Sequence, residues 1–149
     1  MKKQIIVIIL ASLLFSCTKR PNIKVYPIQA NFRFGHKFYS LNLNKAGEAY
    51  VIKGIGTSYI EPLQYKFGDT SQTFKLDSVS TFLKKIELLR SHPLSDLSSF
   101  DAPRVEIFYD KQKIYDATRW DHQFWDMFRP LMQQLPKGYN PFRLDDKPW

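Results

Sequence analysis

The chain has 149 residues and one cysteine, and its 22 lysines and arginines outnumber 14 acids for a formal charge of +8. A single cysteine excludes an intramolecular disulfide framework, and 44% hydrophobic with 15% aromatic content excludes a disordered chain, because such chains are poor in aromatic and β-branched residues. Residues 19–53 carry seven bases against the one acid Glu48 while residues 54–149 carry 13 of each sign, so the basic excess belongs to the start of the chain, and neither a basic groove reader nor an aromatic platform for nucleic acid is evident.

Lys2 and Lys3 precede an apolar run over residues 5–15. That is the order of a secretory signal, and the run is too short to cross a bilayer as a stable helix. Ser16 and Cys17 follow, and Leu14-Phe15-Ser16-Cys17 resembles the lipobox of the bacterial lipoproteins. The resemblance implies that residues 1–16 are a signal peptide cut before Cys17. It also implies that the Cys17 sulfur carries a diacylglycerol, and that the mature protein is lipid-anchored in the cell envelope, at the periplasmic face of the outer membrane. The plain alternative is an unpaired cysteine ending an apolar helix; charged start, apolar run, small residue and cysteine in this order weigh against it. Several acyl chains, at about 0.8 kcal/mol per buried methylene, make such attachment durable.

Residues 17–30 read as the lipidated N-terminus and a tether, because Pro21 and Pro27 disfavour helix and the bases nearby suit anionic head groups. Ile23, Val25, Tyr26 and Ile28 are too apolar for a pure linker, so part of this stretch is a candidate edge strand. A single domain fills residues 31–149.

Residues 37–58 carry the clearest hairpin signal, with Asn44-Lys45-Ala46-Gly47 as the turn. Pairing Leu43 with Glu48 sets Leu41 opposite Tyr50 and Tyr39 opposite Ile52, one apolar face. The reverse face then holds Phe38, Ser40, Asn42, Ala49, Val51 and Lys53. Phe38, Val51 and Lys53 become the candidate partner face, covered either by the aromatic tail over residues 139–149 or by an envelope partner. Gly54-Ile55-Gly56 reads as a bulge or bend; a phosphate loop would need glycines opening a helix and a following Lys-Ser/Thr.

A second hairpin is expected over residues 63–76 around Gly68-Asp69-Thr70. Asp77 or Ser78 then caps a helix with Val79, Phe82, Leu83, Ile86 and Leu89 at helical spacing, stopped by His92-Pro93. Residues 94–103 read as a polar loop. Val105, Ile107 and Tyr109 mark a strand, residues 110–113 a tight turn, and residues 114–120 its partner. Asp121 suits an N-cap, with Trp120 stapled on Trp125. Phe124, Phe128, Leu131 and Leu135 form the stripe of a second helix that Pro130 kinks or interrupts. The two hairpin-plus-helix units differ enough in spacing to read as ordinary ββα units, not a duplication.

Phe34-Gly35, Tyr39-Ser40-Leu41 and Gly47 together resemble the opening of a family of uncharacterised bacterial domains common in small lipoproteins. The paired cysteines of that opening are absent here, so the resemblance implies a fold and no activity.

Catalytic constellations are hard to build. His36, His92 and His122 are far apart in sequence, there is no HExxH pair, and no second cysteine completes a metal site. His122 and Asp126 share a helical face four residues apart, which could orient an imidazole for base catalysis, but a first-turn pair with the acid near the helix N-terminus is the preferred reading. Ser58 lacks the glycines of a nucleophile elbow, and Asp145-Asp146 reads as solvated surface. The expectation is an α+β domain in ββ-ββ-α-ββ-α order, an antiparallel sheet of five or six strands with two helices on one face. Its expected role is a lipid-anchored envelope module that binds a protein or glycan without catalysis or cofactor. A small hydrolase using His122 and a structural subunit of an envelope complex are the alternatives.

Overall fold

The computed structural model describes residues 24–56, 65–96, 103–118 and 122–141. Its elements are β1 (Ile28–Phe34), β2 (Lys37–Leu43), β3 (Glu48–Gly56), β4 (Tyr65–Thr70), β5 (Phe74–Lys75), α1 (Ser80–Ser91), β6 (Leu94–Asp96), β7 (Arg104–Tyr109), β8 (Gln112–Ala117) and α2 (His122–Met132). All eight strands join one sheet in the order β4-β3-β2-β1-β7-β8-β6, with β5 pairing β3 beside β4. This mostly-sheet architecture with two helices is larger than the five or six strands expected, and it is mixed, because β6 runs parallel to β8.

β1 sits at the centre, between β2 and β7. Its sequence alternates Ile28, Ala30, Phe32 and Phe34 with Gln29, Asn31 and Arg33, the period of a strand with two different faces. Part of the expected tether is therefore a core strand and not an edge. Pro27 lies just ahead of the strand, where its missing N–H costs no ladder bond, and its carbonyl accepts from the Asp110 N–H at 2.8 Å.

Hairpin β2–β3 pairs Leu43 with Ala49, Leu41 with Val51 and Tyr39 with Lys53, one residue off the expected register. The turn is the cause. Asn44 N–H donates to the Glu48 carbonyl and Gly47 N–H to the Asn44 carbonyl, while Asn44 Oδ1 accepts from the Ala46 and Glu48 N–H groups. The result is a three-residue loop ending in a left-handed glycine, Gly47 at φ 83°, which is the turn that forms a bulge. A side chain at Gly47 would also meet the Leu76 carbonyl oxygen at 2.6 Å. A one-residue slip exchanges the faces of a strand, so Val51 points into the core.

The expected second hairpin does not form. β4 and β5 both lie antiparallel on β3, as two pieces of one edge strand. Between them Ser71 turns inward, its Oγ accepting from the Val51 N–H at 2.9 Å. Neither Asp77 nor Ser78 caps α1: the cap position is Val79, with no side-chain cap hydrogen bond, and the Asp77 N–H donates to Gln134 Oε1. The helix ends before His92, as expected. Leu94–Asp96, read as loop, is the short parallel edge strand. Pro130 lies inside α2, which continues to Met132. Trp120 and Asp121 lie outside the described residues, as do residues 142–149 of the tail.

Both helices pack on one face of the sheet. Phe82 and Ile86 from α1 and Met127, Phe128, Leu131 and Met132 from α2 join Ile28, Ala30, Phe32, Leu41, Leu43, Val51, Val105 and Ile107 in one core cluster. The Phe128 ring stands edge-on to Phe32 at 5.3 Å and to Phe82 at 5.0 Å. Burying each such side chain stabilises the fold by about 1.5–3 kcal/mol. Phe38 and Tyr50 are buried too, but the register places them on the opposite face.

Candidate functional site

The face opposite the two described helices is where the chain departs from an ordinary solvated sheet. Adjacent-strand pairing aligns three rows across it: Phe38, Arg33 and Arg104; Ile52, Ser40, Asn31, Glu106 and Asp116; and Tyr50, Asn42, Gln29, Phe108 and Lys113. Asn31, Ser40, Asn42, Glu106 and Asp116 are all buried. Buried polar groups need partners, and most have them. Ser40 Oγ accepts from Gln29 Nε2 at 3.1 Å and Asn42 Nδ2 at 3.2 Å.

Four charges form a network. Arg104 bonds Asp116 through two nitrogens, Nε to Oδ1 and Nη2 to Oδ2, each at 2.8 Å, the fork geometry that makes arginine–carboxylate pairs strong. Lys113 Nζ donates to Glu106 Oε1 at 2.7 Å and to Asp116 Oδ2 at 2.9 Å. A β-bulge makes this possible. Lys113 and Asp116 are three apart and would face opposite sides of a regular strand, but the register shift opposite Ile107 and Phe108 brings both to the face opposite the helices, while Ile114 and Tyr115 join the core. Burial alone would push the Asp116 carboxyl up; the bonds from Arg104 and Lys113 outweigh it and hold the group below the usual aspartate range. Burial likewise pulls the Lys113 ammonium down, and its bonds to Glu106 and Asp116 reverse this, leaving it raised.

Two atoms on this face are left without partners. Asn31, 8% exposed, has a buried Oδ1 with no hydrogen-bond partner, and Arg33 has a buried Nη1 in the same state. They are neighbours on one strand, two residues apart on one side.

The residues expected to form sites are not gathered there. Val51 is in the core, Phe38 is buried on the face opposite the helices, and Lys53 lies on the helix side of the sheet, so the three do not form one surface. Lys53 Nζ pairs with Asp69 at 3.5 Å and sits 4.6 Å from the centre of the Tyr139 ring, whose hydroxyl donates to Asp69 at 2.8 Å. The Tyr139 bond holds the Asp69 carboxyl low and the Asp69 carboxylate raises the Tyr139 hydroxyl. The tail thus begins beside Lys53, at a shallow groove that Lys37, Tyr39 and Ile55 also line. His36 is exposed in the β1–β2 turn and His92 at the end of α1, while Asp126 is exposed on α2; the His122 side chain, Ser58, Asp145 and Asp146 lie outside the described residues, as does Cys17. Among the described residues no group of three or more His, Cys, Asp or Glu is placed to hold a metal, and no helix is long and apolar enough to cross a membrane. Sequence reasoning passed over Asn31, Arg33, Arg104, Glu106 and Asp116. The signal was present as alternation in Gln29-Ala30-Asn31-Phe32-Arg33, a polar face on a strand that must be central. No protein family, curated protein or solved structure matches this chain.

Proposed function

We propose that the protein is a lipid-anchored binding module of the bacterial cell envelope, without catalysis, and that the face of its sheet opposite the helices is the ligand face. The anchor rests on the leader over residues 1–16 and on Cys17, and carries with it a place at the periplasmic face of the outer membrane. One observation carries the ligand face. Asn31 and Arg33 keep buried polar atoms unpaired beside a network in which each charge is answered, and an unpaired buried polar group costs stability that selection for folding alone would remove.

Two measurements test this reading. Cys17→Ala should abolish palmitate labelling in cells and leave the precursor uncut; a correctly cleaved mutant that still partitions into detergent sinks the anchor. For the face, Asn31→Leu keeps the size of the side chain and removes the unpaired carbonyl, so the chain should gain about 1 kcal/mol in urea denaturation. A loss of stability would show that the carbonyl serves the fold, and the ligand face would fall.

A further inference from the structure

We infer that the face opposite the helices takes the carboxylate end of a peptide or of another N-acylated amino acid, with the carboxylate on Arg33 Nη1 and the last amide N–H on Asn31 Oδ1. This rests on the reading of that face as the ligand face.

Charge decides the first half. Among the described residues of these three rows Arg33, Arg104 and Lys113 stand against Glu106 and Asp116, one positive charge in excess, and both acids are already engaged by Arg104 and Lys113. The free charge is therefore at Arg33, and a monoanion neutralises it. Hydrogen bonding decides the second half. Asn31 Oδ1 is an acceptor in need of a donor. A bare carboxylate or a phosphate would satisfy Arg33 and leave Asn31 unmet; an ammonium would satisfy Asn31 but add a cation beside an arginine. An N-acylated amino acid carries a neutral N–H and a carboxylate on the same carbon, and so meets both. Residues 31 and 33 are about 6.7 Å apart along an extended strand, a gap the long arginine side chain closes. Both atoms are shielded, so binding must uncover them.

The test uses the full-length chain in detergent micelles and three probes: N-acetyl-alanyl-alanine, its C-terminal amide, and N-acetyl-alanyl-lactate, in which oxygen replaces the last N–H. By titration calorimetry the acid should bind about tenfold more tightly than the amide and about fivefold more tightly than the lactate ester. Arg33→Gln should erase the difference between acid and amide, and Asn31→Leu the difference between acid and ester. Equal binding of the acid and its amide, or no binding of any probe up to about 10 mM, overturns the assignment. If that failure comes with an Asn31→Leu chain more stable than the parent, the ligand class falls and the ligand face stands; if Asn31→Leu is less stable, both fall.

Discussion

Phe128→Ala should lower the unfolding free energy by about 3–5 kcal/mol, a large share of the roughly 5–15 kcal/mol typical of a domain. Phe128 is fully buried and stands between two other rings, Phe32 on the central strand and Phe82 on α1. Truncation removes the transfer energy of a phenyl ring and leaves a cavity bounded by three elements. It also breaks two edge-to-face contacts, each contributing about 0.5–1.5 kcal/mol beyond the burial itself. The cavity stays open, because β1 is held on both sides by antiparallel partners. Leu88, on the same helix as Phe82 but 57% exposed, is the control, and its replacement by alanine should change stability by less than about 0.5 kcal/mol. Urea midpoints at unchanged slope measure both. A loss under about 1 kcal/mol for Phe128→Ala would mean that α2 is not docked on the sheet through this ring.

The sequence carried this core better than it carried the sheet. Phe82, Ile86, Phe128, Leu131 and Leu135 recur at helical spacing, and all five are buried, because that periodicity depends only on one helix having one inward side. Strand identity is harder to read, since a strand's role depends on neighbours far along the chain. Ile28 to Phe34 alternates cleanly, yet Pro21 and Pro27 made it look like a tether, and only its pairing with β7, more than 70 residues away, makes it central. Leu94–Asp96 has no apolar period at all; it is a strand because α1 returns the chain alongside β8. The β2–β3 register turned on whether the loop held four residues or three with a bulge, and Asn44-Lys45-Ala46-Gly47 is compatible with both until the Asn44 side chain is seen to hold the Glu48 N–H.

Reading β1 as a tether hid the candidate site more than that register step did. With Leu43 opposite Glu48, Val51 and Lys53 would share a face with Phe38, and the aromatic tail would be its cover. With Leu43 opposite Ala49, Ile52 and Tyr50 take their place beside Ser40 and Asn42, and β1 extends that face to Asn31, Glu106 and Asp116. Burial of polar residues is what marks a site, and burial is not visible in a sequence whose charges look evenly spread.

Asp116→Asn should destabilise the chain by about 3–5 kcal/mol at neutral pH, the usual cost of removing one partner from a buried ion pair. The Arg104 side chain is 12% exposed, and with Asp116 neutralised its fork loses the carboxylate that compensates it, while the amide nitrogen now faces donors of the same kind. The Lys113 arm adds less, because that side chain is 39% exposed and water screens its pairs. The pH dependence fixes the cause. The Asp116 carboxyl is held below the ordinary aspartate value of about 3.9, so its contribution is present above that value and is lost as pH falls through the lower, folded one. Lys113 has the opposite sense: raised in the fold, it contributes below about pH 10.4 and is lost as pH rises through its folded value. The gap between parent and Asp116→Asn should therefore be wide and flat at neutral pH and close in strong acid, where the parent's own Asp116 is protonated. Replacing the pair together, Arg104→Met with Asp116→Leu, should cost less than the single change, since no charge is left buried alone. A gap that persists unchanged in strong acid would trace the loss to altered packing rather than to the ion pair, and the network on the face opposite the helices would lose its claim to hold that face in order around Asn31 and Arg33.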